Sequence, residues 1–133
     1  MNTFSLLLLD ATHAEKIEGV SSFVGEDLSG SFGILADHAR MMTTLVMGLA
    51  RYRIANEPWQ YLAQPGAVLY FHNNQLTIST RHYLRDENYM RISDGLAQKI
   101  LAEEEELLLV KQNLQNMEKE IFKQIWDLHR EQK

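Results

Sequence analysis

From Leu96 to Lys133 the chain contains neither glycine nor proline, and its apolar residues recur at intervals of three and four. Those two properties leave room for little except helix, because nothing breaks the backbone and a 3.6-residue period gathers such side chains on one face. Before residue 88 the character is the opposite: short apolar runs are separated by glycine, proline and asparagine. The seam near residue 88 therefore divides the chain into a β region over 1–87 and a helical region over 88–133. The expected class is α+β, an N-terminal antiparallel β-sandwich followed by a C-terminal helical hairpin or long helix.

In the helical region Ser93 or Asp94 can accept the orphan amide protons of a helix beginning around Gly95. The apolar stripe runs Leu107, Val110, Leu114, Met117, Ile121, Ile125 and Leu128, with Phe122 and Trp126 beside it. Leu96 and Ile100 extend it backwards, and Glu103 is its polar gap. At about 1.5 Å per residue, a straight helix over Leu96 to Lys133 reaches about 57 Å, too long for the β region to cover. Either the helix turns back near Gln112 to Asn116, or part of it lies against a partner. The acidic run Glu103 to Glu106 sends its carboxylates to different sides of a helix, so it reads as a solvated surface rather than a cation site.

Strands are expected at Phe4 to Leu9, Ile17 to Val24 and Phe32 to Leu35, with a turn at Gly25-Glu26-Asp27. From Gly48, Ala50, Tyr52 and Ile54 alternate with Arg51 and Arg53, the period of a half-buried strand. Asn56-Glu57-Pro58 turns the chain into Trp59 to Ala63, and Gln64-Pro65-Gly66 turns it again. Ala67 to Phe71 and Gln75 to Thr80 flank His72-Asn73-Asn74, a tight hairpin with asparagine in the left-handed positions. No helix-sized insert separates these runs, which argues against a parallel βαβ plan.

Composition narrows the function classes. The net charge is −5, with nine acids against six bases up to Glu87 and nine against seven beyond it. No basic stripe is present to neutralise phosphates, so no nucleic-acid partner is expected. The absence of cysteine excludes disulfides, thiol nucleophiles and thiolate metal sites. Leu6 to Leu9 is stopped by Asp10 and lacks the basic start of a signal sequence, and no apolar run approaches a membrane span. Any role at a membrane is expected to pass through another protein.

Five histidines invite a metal reading. A small metal-binding β fold uses two histidines one residue apart on a strand, and no such pair occurs among His13, His38, His72, His82 and His129. Neither a Gly-X-Ser-X-Gly elbow nor a phosphate loop is present. No catalytic residue, metal or cofactor is expected. The most unusual segment runs from Gly30 to Met42, where two glycines and an apolar strand lead through Asp37, His38 and Arg40 into Met41 and Met42. It reads either as an edge strand with its loop or as a contact surface, in which Phe32, Leu35, Met41 and Met42 give adaptable apolar area.

That segment resembles the epsilon subunit of F-type ATP synthases. The chain has Gly30-Ser31-Phe32-Gly33-Ile34, then Asp37-His38-Ala39-Arg40, Met41-Met42 and Gly48-Leu49-Ala50-Arg51. The family has a Leu-Gly-Ile strand, a Gly-His-Ala-Pro loop, two leucines and a Gly-X-X-Arg strand. Tyr61-Leu62-Ala63-Gln64-Pro65-Gly66 is similar to its Tyr-Leu-Ser-Gly-Gly turn. The resemblance is collinear over essentially the whole chain.

It implies a noncatalytic part of a rotary central stalk, a peripheral protein on the cytoplasmic face of the membrane. The sandwich would bind the gamma subunit and sit on the c ring, with Ser31, Phe32, Asp37, His38, Arg40, Met41 and Met42 on the edge towards that ring. The tail would reach the alpha and beta subunits and restrain ATP hydrolysis, the stripe from Leu107 to Leu128 being its partner face. The chain departs from the family at Asp37 and Arg40, where glycine and proline are usual, and at Ser31, where many relatives carry glutamate. Asp94 is not followed by the Arg-Ala pair of relatives that bind ATP. These departures suggest a divergent member, of the kind encoded by alternative ATP synthase operons, whose coupling ion is a proton or sodium. Two other readings stand beside it: a cupin-like metal-binding β protein, and a coiled-coil adaptor that dimerises through the stripe.

Overall fold

A computed structural model describes residues 2–131; Gln132 and Lys133, the last residues of the expected tail, lie outside the described residues. The chain forms two units, one reaching to Leu101 and one starting at Ala102. The first contains β1 (Phe4–Leu9), β2 (Ala14–Asp27), β3 (Gly30–Leu35), β4 (Met41–Leu45), β5 (Gly48–Ile54), β6 (Gln60–Gln64), β7 (Ala67–His72), β8 (Gln75–Thr80) and β9 (Leu84–Asp86). A short helix, α1 (Tyr89–Gly95), and a single widened π-type turn (Leu96–Ile100) follow. The second unit is carried by one helix, α2 (Leu101–Glu131).

The strands pair in the order β4-β7-β8-β1-β2-β5-β6-β9, with β3 also on β2. All pairings are antiparallel except β1 with β8, where Leu6 faces Leu76 and Leu8 faces Ile78 in parallel register. The expected sandwich is present as a mixed sheet. A parallel neighbour needs a long return path, and strands β2 to β7 supply it without a crossover helix. The strand β2 is long enough to serve both layers because it bends: Gly19 takes φ 74°, and the register to β1 and to β5 slips there.

One core fills the sandwich. Phe4, Leu6, Leu8, Phe23, Ile34, Tyr52, Leu62, Leu69, Phe71, Leu76 and Ile78 are buried in a single cluster. The alternation expected from Ala50 to Ile54 is present, with Ala50 and Tyr52 buried and Arg51 and Arg53 exposed. Asn73 and Asn74 have φ of 50° and 56°, so the β7–β8 hairpin closes on the two-residue left-handed turn foreseen there.

Gly25-Glu26-Asp27 is not a turn. The strand β2 runs through to Asp27, and the chain reverses at Leu28 and Ser29. Gly25 is there for space: a Cβ at that position would lie 2.9 Å from the Phe23 ring and 3.1 Å from Leu45. The reversal is held by the Asp27 carboxylate, which accepts from the Ser29 amide at 2.8 Å and the Thr43 hydroxyl at 2.8 Å. It also accepts from the Ser29 hydroxyl, and these bonds, that one foremost, hold the Asp27 carboxyl below the usual range.

The helix also starts earlier than Ser93 or Asp94. Asn88 is the cap, its Oδ1 accepting from the Arg91 amide at 3.0 Å. Asp86 accepts from the Asn88 amide at 2.9 Å and holds the Arg91 guanidinium with bonds of 2.8 and 3.0 Å. Gly95 lies inside the helical stretch, where a Cβ would stand 3.0 Å from Leu84 Cδ1, so glycine lets the helix approach β9 closely. Ile92 and Ile100 are buried with Ala63, and Leu49, Tyr61, Leu84 and Leu96 pack around them. Leu96 and Ile100, expected to lengthen the tail stripe, belong instead to this second small core. The π-type turn is marked by the Leu101 amide donating to the Leu96 carbonyl.

No turn interrupts α2, which is continuous over 31 residues. The hairpin near Gln112 to Asn116 is absent, and that stretch holds neither glycine nor proline to break the helix. None of the described helices is long and apolar enough to cross a membrane.

Candidate docking surface

The segment from Gly30 to Met42 forms β3, a five-residue connection and the start of β4. It is not one uniform face. Ser31 is exposed and pairs with Glu26 on β2. Phe32 is half-buried against the core, with its ring 6.5 Å from that of Phe23, and Met41 packs against the same core. The apolar area left outside comes from Leu35 and Met42, both more than 60% exposed.

At the connection, Asp37 has φ 65°, the left-handed region that L side chains rarely adopt. Its amide donates to Asn74 Oδ1 at 2.6 Å, and Asn74 Nδ2 donates to Asp37 Oδ1 at 2.9 Å. Asn2 Nδ2 reaches the other carboxylate oxygen at 3.3 Å. Next to it, the His38 amide donates to the Leu35 carbonyl at 3.2 Å, and His38 Nδ1 donates to the Ala39 carbonyl at 2.7 Å. The His38 ring stands edge-on to Phe71 with centroids 5.8 Å apart. Arg40 lies over the Tyr70 ring at 5.6 Å. Asp37, His38 and Arg40 thus meet His72, Asn73 and Asn74 around an open cleft of about 400 Å³. The sequence indicated the two turns separately; that they are bonded to each other depends on a contact 37 residues apart.

Among the described residues, no three His, Asp or Glu side chains gather closely enough to hold a metal ion. The cleft presents both signs of charge, and within it Asp37 and Asn74 are bonded to each other. Such a surface offers a rigid polar edge beside exposed apolar side chains, the composition of a docking patch.

A polar network ties the far end of the sandwich together. Glu15 accepts from the Tyr83 hydroxyl at 3.0 Å and from Arg85 at 2.7 Å, and Arg85 also donates to the Tyr52 hydroxyl at 3.1 Å. Burial, reinforced by the bond to Glu15, pushes Tyr83 up to about 12.

On α2, Leu107, Val110, Leu114, Met117, Ile121, Ile125 and Leu128 lie in a stripe, each about half exposed, with Phe122 and Trp126 beside it and more exposed still.

The chain matches the family described as ATP synthase, Delta/Epsilon chain, beta-sandwich domain, over residues 4–86. An "ATP synthase epsilon chain 2" of Cereibacter sphaeroides is 35% identical over 80 residues, covering 59% of this chain and 55% of that protein. The chain thus spans about half the length of this curated relative. A chain in the cryo-EM structure of the Tetrahymena thermophila mitochondrial ATP synthase central stalk and c-ring superposes with a TM-score of 0.53 at 14% identity, covering 63% of this chain and 69% of that one. Another, from the Euglena gracilis mitochondrial ATP synthase, gives 0.58 at 16% identity, over 64% and 54%. At these identities the likeness is one of fold.

Proposed function

The chain belongs to the ATP synthase delta/epsilon family, and on that basis we propose that it acts as the noncatalytic epsilon subunit of a rotary ATP synthase, coupling ion flow through the c ring to the gamma subunit. One observation carries this reading: the family match begins at Phe4, the first residue of β1, and ends at Asp86, the last of β9, so it takes in the whole sandwich. The sandwich docks on gamma. The edge bearing Ser31, Phe32, Asp37, His38, Arg40, Met41 and Met42 faces the c ring, with Leu35 and Met42 as its exposed apolar contacts. The protein is peripheral, held at the membrane through the complex.

The stripe on α2 supports a regulatory tail. A face of seven half-exposed apolar residues on one continuous helix is stabilised by a partner, and the alpha and beta subunits supply one when the tail restrains ATP hydrolysis. Copurification tests the docking part: the full chain mixed with the cognate gamma subunit is expected to elute as a stoichiometric complex. Recovery of both proteins apart at micromolar concentration would contradict it. The same stripe favours, as a second reading, a dimer formed through α2, which sedimentation of the chain alone distinguishes.

A further inference from the structure

A second hollow lies on the outer face of the β2–β5–β6 layer, away from the Asp37 cleft. Its volume is about 310 Å³, and Val24, Leu49, Arg51, Tyr61 and Tyr89 form most of its wall. The strand register explains the arrangement. Gly33 pairs with Val24, Val24 with Arg51 and Arg51 with Tyr61, so these four stand in one cross-strand row on the outward face. The row is open at its β3 end because Gly33 has no side chain. At its other end Tyr61 meets Tyr89, the first residue of α1, edge to face with centroids 5.4 Å apart. The hollow therefore combines apolar and aromatic side chains, Val24, Leu49, Tyr61 and Tyr89, with Arg51 in the same row, and sits at the small end of the size range of ligand pockets.

Its polar groups are few. The Arg51 guanidinium lies 4.6 Å above the Trp59 ring, and Arg53 lies 5.8 Å from the same ring. Arg53 is also held by donating Nε–H to the Glu57 carbonyl at 3.0 Å. Arg51 makes no hydrogen bond or ion pair to any described residue, so its fork of donors is fixed by stacking and still open. Glu26 stands at the other rim beside Ser31. A carboxylate entering the hollow is repelled at that end and drawn to the Arg51 end, and the chain's net charge of −5 makes this stacked pair of arginines a local exception.

We propose that this hollow is a docking site for a protein segment carrying a bulky apolar side chain next to a carboxylate. The apolar side chain seats against Val24, Leu49 and the tyrosine pair, and the carboxylate takes the Arg51 fork. Preorganised Arg–carboxylate contacts beside aromatic anchors are a common source of interface affinity. The assignment does not depend on the stalk role, because it rests on the hollow's own chemistry.

The test is titration of the ¹⁵N-labelled full chain with N-acetyl-Ala-Phe-Asp-amide, followed through the Trp59 indole N–H and the amides of Tyr61 and Tyr89. Saturable shifts are expected, at least fivefold weaker for the Ala-Phe-Asn analogue and for the Arg51→Gln protein. Arg51→Lys, which keeps the charge and loses the fork, is expected to fall between them, and a dispersed spectrum shows that each variant is folded. Absence of saturation, equal affinity for the two peptides, or equal shifts with inorganic phosphate would overturn the assignment, the last by reducing the site to a simple anion contact.

Discussion

Asp37 and Asn74 bond to each other twice, amide to side chain at 2.6 Å and side chain to side chain at 2.9 Å, joining the β3–β4 connection to the tip of the β7–β8 hairpin. The bond pair accounts for an aspartate at a left-handed position where the family usually has glycine. Aspartate tolerates that conformation better than most residues, and here Asn74 holds it in place. The edge proposed to face the c ring is thereby held by side-chain bonds at a position where the family usually has glycine.

Asp37→Ala is expected to destabilise the protein by about 1–3 kcal/mol, since it keeps the left-handed strain and loses the carboxylate partners. Asp37→Gly should cost less, because glycine removes the strain. Urea denaturation of both variants checks the order; equal losses would show that the strain is unimportant.

Gly95 and Leu84 should be coupled. Alanine at position 95 improves helix propensity by about 1 kcal/mol but brings Cβ within 3.0 Å of Leu84. In the Leu84→Ala background the obstacle is gone, so Gly95→Ala is expected to be more favourable there than in the native chain. A double-mutant cycle showing additivity would contradict close helix–β9 packing.

The Tyr83 hydroxyl gives a pH signature. Its pKa is raised in the folded chain, so its contribution is fully present below the ordinary tyrosine value of about 10. The contribution is lost as pH rises through about 12. Stability measured between those values should fall, and Tyr83→Phe should flatten that fall. On the acid side, Asp27 and Asp86 are both depressed, Asp27 chiefly by the Ser29 hydroxyl and Asp86 chiefly by Arg91. Their contribution is present above the ordinary carboxylate value and disappears as pH drops below it.

Core and stripe should differ in how much stability they carry. Leu62 is fully buried, so Leu62→Ala is expected to cost about 2–5 kcal/mol. Ile121 is half exposed on α2, and Ile121→Ser should change the stability of the isolated chain by less than about 0.5 kcal/mol. In the assembled enzyme the same substitution is expected to relieve restraint of ATP hydrolysis, measured as a higher hydrolysis rate. An unchanged rate would remove the regulatory role of the stripe.

Most of the strand plan was legible because the local signals were strong: Gly48 to Ile54 alternates cleanly, and Asn73-Asn74 is a turn by its own chemistry. What escaped depended on distant partners. The strands β4 and β9 are short, and among the described residues β4 pairs with β7 and β9 with β6, so their pattern says little without that neighbour. Gly25 and Gly95 looked like punctuation, yet both are glycines required by close packing, which only Phe23 and Leu84 reveal. The Asn88 cap was hidden because the residue three places on is Arg91, held by Asp86, and not the glutamate or glutamine that marks a capping box. In the docking edge the residues themselves were visible, but the division between inward Phe32 and Met41 and outward Leu35 and Met42 required the strand register.

The proposed role requires the sandwich to join gamma to the c ring. Cross-linking mass spectrometry of the assembled ATP synthase carrying a photoreactive residue in place of Met42 tests it most directly. The predicted result is a cross-link from position 42 to the c subunit, together with cross-links from the sandwich to gamma. Cross-links from position 42 to neither, in a complex that retains the chain stoichiometrically, would contradict it.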